Sequence, residues 1–208
     1  MYDYRTATPA DEPTVARLIA RVAGVADGPG SVHAPVGEMT DPLADPHTLV
    51  ATTPEDGVVA TMSLYLERDG GDVVDGSMAV PPPTADELGV GRSESVGYLA
   101  YAYVAPPHQS RGVGETMLRQ LLALAVRAGH SRVFVEVWEY DPDRDARGLL
   151  RGLGFEPVYH AGLSWPDDGV CSECGAADCS CGIGVFHRSL PASIPPHLLA
   201  LGGDTSDE

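Results

Sequence analysis

The spacing of apolar positions changes several times along the chain, and each change marks an element. Residues 4–7 alternate as a short first strand, and Thr8-Pro9-Ala10-Asp11 carries the cap and early proline of a helix start. Val15, Leu18, Ile19 and Val22 then recur at three- and four-residue spacing, which predicts a helix with one buried stripe to about Val22. Residues 24–46 are rich in Gly, Pro and Asp and predict loop with at most one short helix. Residues 48–53 and 58–66 flank the turn signal Pro54-Glu55-Asp56-Gly57 and predict a hairpin. From 68 to 95 the chain carries Gly70-Gly71 and Pro81-Pro82-Pro83 and is too long for a plain connection, so an insertion, a lid or a disordered loop is expected.

The centre of the chain is the most regular part. Residues 96–104 are an apolar and aromatic strand ended by Pro106-Pro107. Residues 112–128 form an amphipathic helix with Val113, Met117, Leu121, Leu124 and Ala125 inward, stopped by Gly129. Residues 132–138 alternate, with Val133, Val135 and Val137 on one face and Phe134, Glu136 and Trp138 on the other. Asp141-Pro142 opens a last helix that ends at Leu153-Gly154-Phe155. Strands follow at 157–163 and 183–189, with a cysteine-bearing stretch between them, and the acidic, proline-containing tail from 191 to 208 is expected to be disordered. There is no internal repeat.

Composition narrows the chemistry. A chain of 208 residues and 21.8 kDa with 43% apolar residues is globular, one domain or a domain with a short appendage. Thirty acidic residues against 13 basic ones give a net charge of −17; all 13 are arginine, and the chain has neither lysine nor asparagine. A P-loop lysine, a Schiff-base lysine for pyridoxal phosphate, a kinase-type lysine and Asn-linked glycosylation are thereby excluded. The acidity argues against duplex nucleic acid or an anionic membrane as partner, because both demand a basic face. A halophilic source, whose salt-rich cytosol favours carboxylated surfaces, accounts for the charge; attraction of a cationic substrate is the alternative. The start Met1-Tyr2-Asp3-Tyr4-Arg5 lacks the features of a signal peptide, and no apolar run approaches the roughly 18 residues of a membrane span, so a soluble cytoplasmic protein is expected.

Gln109-Ser110-Arg111-Gly112-Val113-Gly114 sits between a strand and a helix. A helix start offers unpaired N–H groups and about half a positive charge, and glycines there let phosphates approach the backbone without any lysine. The glycine spacing is not that of a dinucleotide site. With Val104 and Pro106 before it, this segment resembles the acetyl-CoA signature of the GNAT superfamily of N-acetyltransferases, a strand valine followed by Q/R-x-x-G-x-G/A at a helix start. Residues 132–138 look like the family strand that splays from its predecessor to admit pantetheine, and 146–155 resemble its A-x-x-L-Y-x-x-L-G-F helix end. The resemblance spans about residues 2 to 163. It implies one α/β (α+β) domain over 1–190, a central mixed and mostly antiparallel sheet flanked by helices, with a splayed strand pair binding CoA and a Cys-rich loop at 167–182. It also implies that Val104 offers backbone groups to pantetheine and that Arg111, Gly112, Val113 and Gly114 hold the pyrophosphate, with Gln109 and Ser110 completing the loop and Arg111, Arg147 or Arg151 nearby.

Two positions depart from the family pattern. Leu150 stands where a tyrosine usually protonates the leaving thiolate, and Asp141 or Asp143 where an asparagine usually opens the last helix. A thiol of pKa ~8.5 leaves with little help, so the tyrosine is not indispensable. Attack on the thioester needs a neutral amine and an acceptor for its proton. Glu136, mid-strand beside the expected cleft, is the candidate base, with a paired surface role as its alternative. Tyr98, Tyr101 and Tyr103 line the strand opposite, with Tyr101 or Tyr103 as substitute acid or simple strand packing. The expected activity is transfer of an acetyl group from acetyl-CoA to a primary amine of a small molecule or protein by direct attack in a ternary complex. A catalytically weak acyl-CoA sensor is the alternative, and a second copy of the chain is a candidate partner.

Cys171, Cys174, Cys179 and Cys181 are all the cysteines of the chain. In a reducing cytosol such clustered thiols suit a tetrahedral metal better than disulfides, and structural zinc is expected. His160 or His187 could replace one ligand. Redox use, free thiols, another metal and an iron–sulfur cluster remain alternatives. A zinc here would staple a loop too rich in Gly, Ala and Ser to build a core, and that loop could serve interactions.

Overall fold

The computed structural model describes residues 1–23, 47–77, 79–139, 146–163 and 181–191. The N-terminal strand β1 (Asp3–Thr6) leads through a turn of 3-10 helix at Pro9–Asp11 into α1 (Glu12–Ala23). The hairpin is β2 (His47–Thr53) and β3 (Gly57–Asp69). It is followed by α2 (Gly70–Asp75), β4 (Ala79–Val80), α3 (Ala85–Leu88) and β5 (Ser95–Val104). A second 3-10 turn, Pro106–His108, precedes α4 (Val113–Arg127), and β6 (Arg132–Glu139), α5 (Arg147–Gly152), β7 (Glu156–Leu163) and β8 (Gly182–Ser189) complete the order.

The strands make one eight-stranded sheet in the order β1-β2-β3-β5-β6-β8-β7-β4. Every neighbouring pair is antiparallel except β5 and β6, which are joined by the crossover helix α4 and therefore run parallel. Their ladder is short: Gly97, Tyr98 and Leu99 stand opposite Val133, Phe134 and Val135, and no pair follows although the strands continue to Val104 and Glu139. The sheet is thus forked in the middle, as the family resemblance implies. Opposite β3, Leu64 pairs with Leu99 and Ser63 with Tyr101, so Ala100 is an extra residue in β5. A bulge of this kind shifts the following side chains by one position. Tyr98, Tyr101 and Tyr103 therefore share one face, which regular alternation would forbid.

That face and its opposite are packed differently. On the back, the stripe predicted for α4 (Val113, Met117, Leu121, Leu124 and Ala125) is buried with Met62, Leu64, Val133 and Val135. Leu150, Leu153 and Phe155 join the same cluster. On the front, Val15 and Ile19 of α1 pack on Val50 and the rings of Tyr101 and Tyr103. Further along the same face Val73, Val74, Leu88 and Val90 cover Val96, Phe134 and Val185. Each such fully buried side chain contributes roughly 1.5–3 kcal/mol.

The second front cluster corrects the expectation of a lid or disordered loop over 68–95. Asp69 caps α2 through the Asp72 N–H at 2.9 Å, and Thr84 caps α3 through the Glu87 N–H at 3.2 Å. The two-residue β4 extends the far edge of the sheet beside β7. Gly70, one of the residues that signalled a break, is glycine because a Cβ there would lie 2.2 Å from the Gly91 carbonyl oxygen. It permits close packing, and the segment is a folded insertion. At the other end of the cysteine stretch, Gly182 already belongs to β8, so the loop stops one residue earlier than expected. Among the described residues no helix is long and apolar enough to cross a membrane.

Candidate active site at the fork of the sheet

The loop between β5 and α4 is shaped for an anion by its backbone. Ser110 and Gly112 have φ of +57° and +79°, and Gly112 is the residue immediately before α4. No side chain caps this helix, and its first i to i−4 bond runs from the Thr116 N–H to the Gly112 carbonyl at 3.0 Å. The N–H groups of Val113, Gly114 and Glu115 precede that bond and need partners from outside the helix. Ser110, Arg111 and Gly112 are exposed, Gly114 half-buried and Val113 buried. Behind the loop, buried His108 fixes its base: one ring nitrogen lies 3.1 Å from the Tyr2 hydroxyl and the other 3.3 Å from Asp56 Oδ2. Gln109 Nε2 donates to the Val104 carbonyl at 2.9 Å, so Gln109 braces the strand end expected to meet pantetheine. Helix α5 lies alongside, Leu149 Cδ2 being 3.7 Å from where a Cβ on Gly114 would stand. On this helix Arg147 is half-buried and Arg151 exposed.

Glu136 is the first residue of β6 beyond the parallel ladder, on the front face next after Phe134. Ser77, just past α2, donates its hydroxyl to Glu136 Oε1. The Tyr98 phenol also hydrogen-bonds Glu136; burial first, then the carboxylate's charge, pushes that phenol well above its usual range. Tyr101 stands opposite Ser63, one ladder step past the fork. Its hydroxyl is 3.5 Å from Thr48 Oγ1, which in turn is 2.9 Å from Ser63 Oγ, and burial raises its pKa as well. Both phenols therefore stay protonated at neutral pH. Tyr103 pairs with Thr61, three steps out from Leu64, or ~10 Å along the sheet at about 3.3 Å per residue. It stacks on Tyr101 with ring centroids 6.1 Å apart. The structure thus groups Glu136 with Tyr98 and Ser77, brings Tyr101 to the same level, and places Tyr103 farther out beside α1.

A cavity of about 420 Å³ opens next to this group, walled by Tyr65 and Arg68 of β3, Tyr98 of β5, and Asp72, Asp75 and Gly76 of the insertion. Ser77, Tyr65 and Arg68 carry no sequence signal of a site, since only the bulge in β5 and the folding of the insertion bring them here.

The remaining candidates divide. Leu150 is 3% exposed within the core, so no side chain at that position reaches the fork without rebuilding it. Asp141, Asp143, Cys171, Cys174 and Cys179 lie outside the described residues. Cys181 is buried immediately before β8, and His160 Nε2 is 2.9 Å from where a Cβ on Gly182 would stand, so this imidazole lies against the start of β8. His187 sits six residues along the strand from Cys181, ~20 Å at about 3.3 Å per residue, packed on Phe134. A metal site containing Cys181 therefore cannot use His187. Among the described residues no group of three or more His, Cys, Asp or Glu is placed to hold a metal.

A forked parallel pair beside an uncapped helix start is the arrangement that the family resemblance implies for holding acyl-CoA. The chain belongs to the acetyltransferase (GNAT) family: residues 28–155, more than half of it, match that family's sequence profile. It is an acyltransferase, an acetyl-CoA-dependent N-acetyltransferase, and membership does not favour a module without turnover. No curated protein matches the chain. Solved structures share the fold. The ribosomal-protein-S18-alanine N-acetyltransferase from Escherichia coli superposes with a TM-score of 0.59 at 15% identity, over 94% of this chain and 96% of that one. A GCN5-related N-acetyltransferase from Kribbella flavida gives 0.59 at 21% identity, over 91% and 98%. YncA from Salmonella typhimurium, solved with its cofactor acetyl-CoA, gives 0.57 at 18% identity, over 94% and 98%.

Proposed function

We propose that this acetyltransferase acts on a primary amine of a small molecule or protein by direct attack in a ternary complex, with Glu136 receiving the amine's proton. The carrying observation is the position of Glu136 at the fork, held by Ser77 and Tyr98 beside an open cavity. In this reading the pyrophosphate of acetyl-CoA takes the N–H groups from Arg111 to Gly114, Gln109 and Ser110 shape the loop, and Val104 borders pantetheine. The neutral amine attacks the thioester carbonyl, the C–N bond forms and the C–S bond breaks. The proton passes to Glu136 directly or through one water, and the sulfur leaves as thiolate. Tyr101, level with Glu136 and fully protonated, is better placed than Tyr103 to hydrogen-bond that sulfur. Loss of a positioned base typically costs 10²- to 10⁴-fold in rate, so Glu136→Gln should lower kcat by at least about a hundredfold with acetyl-CoA affinity kept. Full turnover by this variant across pH would remove Glu136 from the mechanism.

Several finer readings accompany this one. Residues 1–190 are taken as a single acetyltransferase domain in a cytoplasmic protein that binds neither nucleic acid nor membrane and pairs, if at all, with its own copy. Its charge fits a halophilic source. The four cysteines are read as a structural zinc site, supported by their spacing. Elemental analysis after metal-replete expression should find about one zinc per chain, and none would sink that assignment.

A further inference from the structure

The cavity beside the fork indicates what the acceptor carries, an inference that rests on the acetyl-transfer reading above. Its wall holds three charged side chains. Asp72 accepts the Asp69 N–H at 3.2 Å and closes the cap of α2, and Asp75 pairs with Arg92. Arg68 differs. It is half-buried, its guanidinium carbon lies 4.3 Å from the centre of the Tyr65 ring, and among the described residues it meets no carboxylate. Stacking on Tyr65 fixes the guanidinium without consuming any of its N–H donors, which stay available to a planar, bidentate partner.

We propose that Arg68 binds a carboxylate of the acceptor, so that the substrates are amino acids or short peptides bearing both a primary amine and a carboxylate. Tyr65 stands opposite Tyr98, one strand spacing of ~4.8 Å, and Tyr98 reaches Glu136. Amine and carboxylate must then be farther apart than in an α-amino acid, where a single carbon separates them. An ω-amino acid or a dipeptide fits that separation.

Thiol release from acetyl-CoA is measured with δ-aminovalerate and its carboxamide, and with glycylglycine and its carboxamide. A charge-assisted bidentate contact should favour each carboxylate in kcat/KM by roughly ten- to a hundredfold. Arg68→Gln should bring that ratio to about one and Arg68→Lys should keep part of it, with acetyl-CoA affinity reporting an intact fold. Equal turnover of carboxylate and carboxamide by the native protein, or a preference that survives in Arg68→Gln, overturns the proposal. Calorimetric binding of δ-aminovalerate separates this from the transfer reading. Binding lost in Arg68→Gln, with no thiol release from any amine, supports the Arg68 contact and overturns transfer. Turnover of both carboxamides at the rate of their acids sustains transfer and overturns the Arg68 contact.

Discussion

Gly112 and Gly114 occupy one loop but should respond to alanine with opposite signs. Gly112 has φ +79° and ψ 2°, with no atom within 4 Å of the place a Cβ would take. Alanine there meets no clash and bears only the left-handed backbone penalty, roughly 1–2 kcal/mol. Gly114 lies inside the first turn of α4, and its Cβ would rest 3.7 Å from Leu149 Cδ2 and Val104 Cγ2, which is ordinary contact. Alanine at this helical position gains up to about 1 kcal/mol in propensity. For a chain of this size 1 kcal/mol corresponds to about 2–4 °C in Tm, so Gly112→Ala should melt roughly 2–8 °C lower and Gly114→Ala up to about 4 °C higher. Relaxing the strain at Gly112 re-aims the N–H groups proposed to meet the pyrophosphate, so acetyl-CoA should bind that variant about tenfold more weakly, some 1.4 kcal/mol. Gly114→Ala should stay within about threefold of the native affinity, well under that 1.4 kcal/mol step. Thermal unfolding followed by circular dichroism and calorimetric titration with acetyl-CoA read the two effects separately. Equal destabilisation by both substitutions, or native affinity in Gly112→Ala, would refute the geometry assigned to this loop.

Leu150→Tyr, although it restores the residue usual in the family, should overpack the core around Leu153 and Phe155, lower stability by about 1–3 kcal/mol and leave turnover no higher; a gain in kcat would show that the position reaches the thiol. Asp11 accepts two hydrogen bonds from Arg5 at 2.7 and 2.8 Å and two from Thr8 at 2.8 Å, and chiefly the Arg5 bonds hold its carboxyl far below the usual range. Its folded value lies below its unfolded one, so its stabilisation is complete above the unfolded carboxylate value and is lost as pH falls through the folded value. Because Arg5 is 40% exposed, Asp11→Asn should cost only about 1–2 kcal/mol at pH 7, and the difference from native should shrink steadily in denaturant melts below pH ~4. A difference constant with pH would contradict the ion pair. With a net charge of −17, added potassium chloride should tighten acetyl-CoA binding by screening repulsion; weakening would indicate that direct ion pairs dominate the site.

The elements legible in the sequence are those whose pattern and packing agree. The buried stripe of α4 and the alternation in β6 are both visible because one face of each meets the core. The choice among insertion, lid and disordered loop over 68–95 was illegible because Gly70-Gly71 and the three prolines are signs of disorder and of tight packing alike, and only the approach of Gly91 to Gly70 decides between them. The site shows the same division. The anion loop is local, a strand end and helix start contiguous in the chain, so its residues can be found by spacing. The group around Glu136 is assembled from β6, β5 and the end of the insertion, with |i−j| of 59 between Ser77 and Glu136. A one-residue bulge at Ala100 decides which tyrosines share the face, and alternation over 98–103 alone places Tyr98 and Tyr101 on opposite sides.

The missing lysine and the surplus of carboxylates then bear on how anions are handled at all. Arg5, Arg92, Arg119 and Arg132 each face an acidic side chain, so much of the positive charge in the described residues is already spoken for. A CoA pyrophosphate must therefore be met by donors that the protein's own carboxylates do not neutralise. The N–H groups at the start of α4 meet that condition because no side chain caps them. Arg68 meets it because an aromatic ring, rather than an acid, holds its guanidinium. The field of the whole chain favours a cationic amine near the fork, yet attack requires that amine to be neutral. In the proposed mechanism a carboxylate beside the fork serves both needs: Glu136 draws the amine in, the amine attacks in its neutral form, and Glu136 takes the proton released as the C–N bond forms, while Ser77 and Tyr98 hold that carboxylate in place.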